Sequence, residues 1–347
     1  MRASRVPFNA QASVALMRNL LTDIPGIAVG HATDLALGSG VTAIVFDTPA
    51  AAAVVVLGGA PGGRDTAMLE PEMSIPGVDA IVLSGGSAYG LDAAGGAQAA
   101  LRAQGRGFRI REALVPIVPA AIIFDLLNGG NKDWGVFSPY RDLGHQAAAA
   151  ARPGDFALGS VGAGTGATTA TVKGGLGSAS AVGRGGHIVA AIVAVNAVGA
   201  VTIGDGPHFW AAPFEEGREF GGRGWPAAIA PADLALRLKG GPAPATTIGL
   251  IATDAALTKA QCKRLAIMAN DGLARAVLPA HAPMDGDTIF AAATGARPLT
   301  DPAPDLTELG HLATMVMARA IARGVHGATA LPHAGAMRSW RDRFAAS

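Results

Sequence analysis

Cysteine is nearly missing from this chain: Cys262 stands alone among 347 residues, so no intramolecular disulfide can form. That composition fits a reducing compartment, and the cytoplasm is the expected location. Aromatic residues make up only 5% and charged residues only 15% of the chain, with a formal net charge of +1. No run rich in Lys and Arg is present to track a phosphate backbone, so a nucleic-acid partner is not expected. Long hydrophobic runs are also lacking. The stretches Ile188 to Val195 and Val115 to Ile123 fall well short of the ~20 residues a membrane helix needs, and are expected as buried strand or helix. The opening Met-Arg-Ala-Ser-Arg, followed by Pro7, Asn9 and Gln11, has none of the unbroken apolarity of a secretory signal.

What is present is glycine and apolar side chains. Forty-eight glycines accompany a chain that is 50% hydrophobic, a mixture expected for close-packed layers joined by tight turns rather than for disorder. Strand-like runs recur at Val41 to Phe46, Ala53 to Leu57, Asp79 to Ser84, Ile188 to Val195, Val198 to Ile203, Thr247 to Ala252 and Thr288 to Ala293. Several are apolar throughout, as expected of strands covered on both faces by a second sheet and a helical layer. Three helices are predicted. Thr258 and Gln261 form a capping box before Cys262, Leu265, Ala269 and Leu273; Asp305 and Glu308 open a run through Leu309, Leu312, Val316 and Ala320; and Tyr89 to Gln104 is alanine-rich.

The main punctuation is Lys239 to Ala245, Lys-Gly-Gly-Pro-Ala-Pro-Ala, which forms neither helix nor regular strand and is expected as a loop or linker. A buried-strand pattern starts abruptly behind it at Thr246, placing the Ala245 to Thr246 peptide bond at a junction between loop and core. The residues able to carry chemistry are Thr246, Asn196, Lys173 and the pair Asp285 and Asp287. Each also has an ordinary structural reading: a strand-leading Thr, a buried amide at a bulge, a turn lysine, a polar turn before a strand. Two carboxylates are too few ligands for a metal, and the glycine clusters lack the Lys-Ser/Thr of a phosphate loop, so neither metal nor cofactor is expected. None of the eight histidines lies in a serine-nucleophile motif, and Cys262, on the apolar face of its helix, reads as a buried structural thiol.

These blocks resemble a known group. Asn19-Leu20-Leu21-Thr22-Asp23-Ile24-Pro25-Gly26-Ile27, Ser84-Gly85-Gly86-Ser87-Ala88-Tyr89-Gly90-Leu91-Asp92, Gly162-Ala163-Gly164-Thr165-Gly166, Lys173-Gly174-Gly175-Leu176-Gly177-Ser178, Val195-Asn196-Ala197, Thr246-Thr247-Ile248 and Asp285-Gly286-Asp287-Thr288 are similar, in letters and order, to the P1/S58 peptidase family. That family includes DmpA-type aminopeptidases, β-peptidyl aminopeptidases and the nylon-oligomer (6-aminohexanoate oligomer) endohydrolase; Thr246-Thr247-Ile248 and Asp285-Gly286-Asp287-Thr288 look most like the last branch.

The resemblance implies an α/β fold, a four-layer αββα sandwich of the N-terminal-nucleophile type. It implies one domain over residues 1–347, self-cleaved into 1–245 and 246–347, and assembled as a homo-oligomer, a tetramer of cleaved heterodimers. Carried over residue by residue, it makes Thr246 the nucleophile, released by cleavage after Ala245. Asn196 becomes the oxyanion donor, Lys173 a nearby positive charge, and Asp285 and Asp287 the carboxylates that hold the Thr246 amine and hydroxyl. Phe124 and Tyr89 are expected at the substrate. Ala245 stands where family members usually carry Asn or Gly, and Phe124 where relatives carry Tyr. The activity implied is hydrolysis of amide bonds in small peptides or oligoamides through an acyl-threonine. Two other readings remain open at this point: acyl transfer of the ornithine acetyltransferase kind, and an uncleaved, non-catalytic small-molecule-binding scaffold.

Overall fold

A computed structural model describes residues 17–240 and 245–344. The opening segment read for a signal, and residues 241–244 of the linker, lie outside the described residues. The strands are β1 (Ile27–Asp34), β2 (Ser39–Val56), β3 (Gly63–Arg64), β4 (Val78–Ser84), β5 (Phe108–Ile110), β6 (Ala113–Val115), β7 (Ala120–Ile122), β8 (Gly175–Val182), β9 (Ile188–Asn196), β10 (Thr246–Ala255) and β11 (Thr288–Arg297). The α-helices are α1 (Asp92–Ala103), α2 (Tyr140–Ala149), α3 (Lys259–Ala276), α4 (Pro302–His326) and α5 (Trp340–Phe344). Hydrogen bonding runs in the order β3-β7-β4-β2-β11-β10-β9-β8, with β1 added on β2 and β5-β6 as a separate ribbon.

Strand β2 makes this path into two layers. Val41 to Val45 of β2 pair with β4, and Ala51 to Val56 pair with β11. The sequence reads as two strands here because Asp47, Thr48 and Pro49 look like a turn. Instead they form the exposed bend at which one 18-residue strand leaves the first sheet and joins the second. Pro49 has no N–H to donate, which is tolerated where ladder pairing is interrupted.

Alternation of side chains then sorts the apolar residues into three cores. Even-numbered positions, Ile44, Ile192, Ala194, Ile248, Leu250 and Phe290, meet between the two sheets. Odd-numbered positions of the second sheet, Val189, Ala191, Val193, Ile251 and Ile289, face Leu265 and Ala269 of α3 and Val316 and Ala320 of α4. On the far side, Val41, Ala43 and Val82 of the first sheet face Ala97 of α1 and Ala147 of α2. The result is helices, sheet, sheet, helices, the αββα sandwich expected. Unbroken apolarity in β9 and β10 follows from it, since both faces of these strands are covered. Gly177 of β8 permits a close helix contact: a Cβ there would sit 1.8 Å from the carbonyl oxygen of Ala320.

Local signals explain most helix ends. The Thr258 hydroxyl accepts from the Gln261 N–H at 3.2 Å and the Gln261 side chain accepts from the Thr258 N–H at 2.8 Å, so α3 starts at its capping box. Helix α4 begins at Pro302, three residues before Asp305, whose carboxylate reaches back to the N–H groups of Thr300 and Asp301. The alanine-rich run opens as a 3-10 turn at Ser87–Leu91 and becomes α1 at Asp92. The expected strand Val198 to Ile203 is corrected: its residues make only isolated bridges, Ala200 with Leu278 and Thr202 with Phe209. Beyond Asn196 the chain leaves the sheet, and Val201 packs into the core on the α3/α4 side rather than extending a ladder. Cys262 is buried in the same core, and burial pushes its thiol up to about 12. Among the described residues, no helix is long and apolar enough to cross a membrane.

Candidate active site

Strand β10 starts at the mouth of the space between the sheets. Thr246 opens it, opposite Asn196, the last residue of antiparallel β9, so their side chains share one face. By the alternation above, that face is the inter-sheet one. Strands β10 and β11 are parallel and joined through α3, which brings their starts to the same end of the sheet. An isolated parallel bridge between Ala245 and Asp285 continues this pairing past the strand. Topology therefore delivers the Asp pair beside the Ala245–Thr246 bond.

That peptide is held on several sides. The Thr246 hydroxyl donates to the Ala245 carbonyl at 2.5 Å, and the Gly286 N–H donates to the same carbonyl at 2.8 Å. A Cβ on Gly286 would lie 2.7 Å from Thr246 Oγ1, so glycine is what lets the loop of residues 285–287 close over the hydroxyl. Thr246 is 2% exposed, and Asp285 and Asp287 are fully buried. Asp287 accepts from the Thr247 N–H at 2.9 Å and from the N–H and Nδ1 of His281 at 3.0 and 2.9 Å. Among the described residues, the carboxyl oxygens of Asp285 have no hydrogen-bond partner. Burial first, and the neighbouring Asp287 second, hold this carboxyl well above the usual carboxylate range.

Asn196 is oriented by its surroundings. Its Oδ1 accepts from the Thr168 N–H at 3.0 Å and from Lys239 Nζ at 2.6 Å, while Nδ2 donates one N–H to the Phe124 carbonyl at 3.1 Å. A carboxamide has two acceptor positions and two donor protons. Both acceptor positions are taken, and one donor proton remains.

Lys173 is held by backbone carbonyls. Its ammonium is buried and donates to the carbonyls of Gly164, Ala167 and Gly174 at 3.1, 2.7 and 2.9 Å. It thereby shapes the turn that presents Thr168 to Asn196. Burial pushes the amines of both Lys173 and Lys239 down to about 7, against the opposing attraction of Asp125.

A cleft of about 390 Å³ opens at this point, lined among others by Phe124, Asp125, Thr168, Lys239 and His333. Phe124 lines this cleft and its carbonyl holds Asn196, while Thr246, Asn196, Asp285 and Asp287 lie behind the lining rather than in it. Tyr89 is more than half exposed and packs edge-to-face on Trp134 with ring centroids 5.4 Å apart, outside the lining of the cleft.

Sequence reasoning missed Lys239, Thr168, His281 and Asp125. Asp125 accepts from Ser39 Oγ and the Gly86 N–H, each at 2.7 Å, and burial raises its pKa. Its only sequence signal was adjacency to Phe124; Lys239 was visible merely as the first residue of a linker.

The chain is similar in sequence and fold to known proteins. Peptidase family S58 matches residues 19–338. An uncharacterized aminopeptidase of Mycobacterium tuberculosis is 43% identical over 347 aligned positions, covering 94% of this chain and 98% of the relative. The 6-aminohexanoate-oligomer endohydrolase of a Kocuria species is 30% identical, covering 78% and 74%. Among solved structures, a Burkholderia beta-aminopeptidase superposes with a TM-score of 0.65 at 26% identity, covering 94% of this chain and 91% of the other. The L-aminopeptidase D-Ala-esterase/amidase of Ochrobactrum anthropi, described as a new variant among the Ntn hydrolase fold, does so with a TM-score of 0.68 at 21% identity over 94% and 91%. The first is similar to this chain in fold and in sequence, the second in fold. A family match from Asn19 to Arg338 and aminopeptidase relatives aligned almost end to end establish that the chain belongs to peptidase family S58 and is a hydrolase of amide bonds.

Proposed function

We propose that the chain cuts itself between Ala245 and Thr246 and then hydrolyses small peptides or oligoamides with the freed Thr246 as nucleophile. The observation that carries this reading is a buried, strand-leading hydroxyl 2.5 Å from the carbonyl oxygen of its own preceding peptide, with the Gly286 N–H on that same oxygen. In the self-cleavage step Thr246 Oγ1 attacks the Ala245 carbonyl carbon. The Gly286 N–H stabilises the charge that forms on the oxygen, and the C–N bond breaks in favour of an ester as the departing nitrogen takes up the proton lost by the hydroxyl. Water then hydrolyses that ester, leaving a carboxylate on Ala245 and a free amine on Thr246. Nothing in this attack requires Asn at position 245.

In the cleaved enzyme the new α-amine, with an ordinary pKa near ~8, is unprotonated often enough at neutral pH to take the hydroxyl proton. Attack on a bound amide forms an acyl-threonine ester, the proton passes to the leaving amine, and water releases the acid. The spare N–H of Asn196 serves as donor to the oxyanion, and the Asp pair, next to the position the amine occupies, orients it. On the family likeness, cleaved pairs assemble into homo-oligomers.

Mass spectrometry of the purified protein tests the first step: the expected species are residues 1–245 and 246–347. A single full-length mass, persisting on prolonged incubation, refutes self-cleavage at this bond.

The buried Asp285 carboxyl also has a stability signature. Its folded-state pKa lies above the ordinary 3.8, so its contribution is fully present below that value and is lost as pH rises toward the raised pKa. Asp285→Asn, compared with its parent in a Thr246→Ala background so that both chains are uncleaved, is expected to raise the melting temperature at pH 7 to 8 by on the order of a few degrees. The gain shrinks toward pH 4. Thermal melting across that range checks it; a variant less stable than its parent at pH 8 contradicts it.

A further inference from the structure

We infer that Lys239 is a positioning residue for the chemistry at Thr246, acting through the carboxamide of Asn196; this rests on the reading of Thr246 as nucleophile. Lys239 stands seven residues before Thr246, yet two contacts return it to the site. Its N–H donates to the Val198 carbonyl at 2.8 Å, two residues beyond Asn196, and its ammonium donates to Asn196 Oδ1 at 2.6 Å and to the Thr168 carbonyl at 3.2 Å. Both the backbone and the ammonium of Lys239 are thus held beside Asn196.

The consequence for Asn196 is directional. Rotating the carboxamide by half a turn would set its NH₂ against an N–H and an ammonium, donors facing donors. Only the observed orientation satisfies all three neighbours, and it leaves one N–H of Nδ2 for an oxyanion. The ammonium on Oδ1 also draws electron density through the amide, which strengthens Nδ2 as a donor. Asp125 and Asp285 face Lys239 from two other segments and favour its charged form, while Lys173 opposes it across the 164–168 turn. The position is buried, so its charge is weakly screened. Lys239 thus links the oxyanion donor, the acidic pair and the turn organised by Lys173.

The oxyanion of self-cleavage forms on the Ala245 carbonyl, which the Gly286 N–H holds, whereas the oxyanion of hydrolysis meets Asn196, so a residue acting through Asn196 lowers kcat for hydrolysis. A side chain that only contacts bound substrate raises KM instead. In cleaved Lys239→Met, kcat on an aminoacyl p-nitroanilide is expected to fall by about 10- to 100-fold, with KM changed by less than about threefold. In an Asn196→Ala background the same substitution should lower the residual kcat by less than about twofold, because the group it positions is gone. If Lys239→Met melts well below its parent, Lys239→Gln carries the comparison: it keeps an N–H donor for Oδ1 without the charge.

Wild-type rates in the Lys239 variants overturn the inference. So does a rise in KM with unchanged kcat, or a full additional loss of kcat in the Asn196→Ala background. A Thr246→Ala chain that still cleaves and hydrolyses would instead remove the reading of the nucleophile beneath it.

Discussion

Thr246→Ala is expected to remain a single uncut chain and to lose amide hydrolysis by more than about 10⁴-fold, the scale seen when a nucleophile is deleted from a concerted site. The geometry makes the loss complete because one oxygen serves both reactions. Thr246 Oγ1 is the hydroxyl that touches the Ala245 carbonyl, and in the cleaved chain it lies on the same residue as the new amine. Thr246→Ser should keep both activities, since it removes a methyl group and keeps the hydroxyl. The alanine variant also tests folding: Thr246 pairs with Asn196 through backbone ladder bonds that do not involve its side chain, so its melting curve should stay close to that of an uncut parent. Self-cleavage or wild-type hydrolysis in Thr246→Ala would show that the attacking group lies elsewhere.

Replacing Asn196 should cost about 10²- to 10³-fold in kcat with little change in KM, as expected for a donor engaged mainly when charge develops on the reacting oxygen. Asn196→Asp is the sharper variant. A carboxylate of the same shape still accepts from the Thr168 N–H and Lys239, but it has no N–H to give, either to the oxyanion or to the Phe124 carbonyl. Its loss should equal or exceed that of Asn196→Ala. An active Asn196→Asp enzyme would mean that the amide is structural. Steady-state kinetics on both variants, with the extent of self-cleavage measured alongside, distinguishes these outcomes.

Particular elements show how far each level of reading reached. The layered architecture was legible in β9, β10 and β11, because a strand covered on both faces carries apolar residues at odd and even positions alike. Helix α3 was legible from Thr258 and Gln261, whose reciprocal bonds depend only on local geometry. Strand β2 was read as two because Asp47-Thr48-Pro49 has turn chemistry, and only its two sets of partners reveal one strand bending between layers. Val198 to Ile203 had strand composition, yet Val201 is buried against the helix-side core without a ladder partner. Burial selects apolar residues whether or not a strand forms, so composition could not separate the two cases.

The same division runs through the site. A linker ending at a strand-leading Thr246, the buried-strand end at Asn196 and the acidic pair before β11 are local patterns, and their family likeness is a property of the sequence alone. Which groups meet was decided by the tertiary structure. Parallel pairing of β10 with β11 sets Asp285 beside Ala245, Phe124 crosses from the first sheet to hold Nδ2 of Asn196, and Lys239 reaches back to its Oδ1. These contacts join residues separated by up to 72 positions. Chain connectivity carries no record of such distances; the packing of two sheets face to face does.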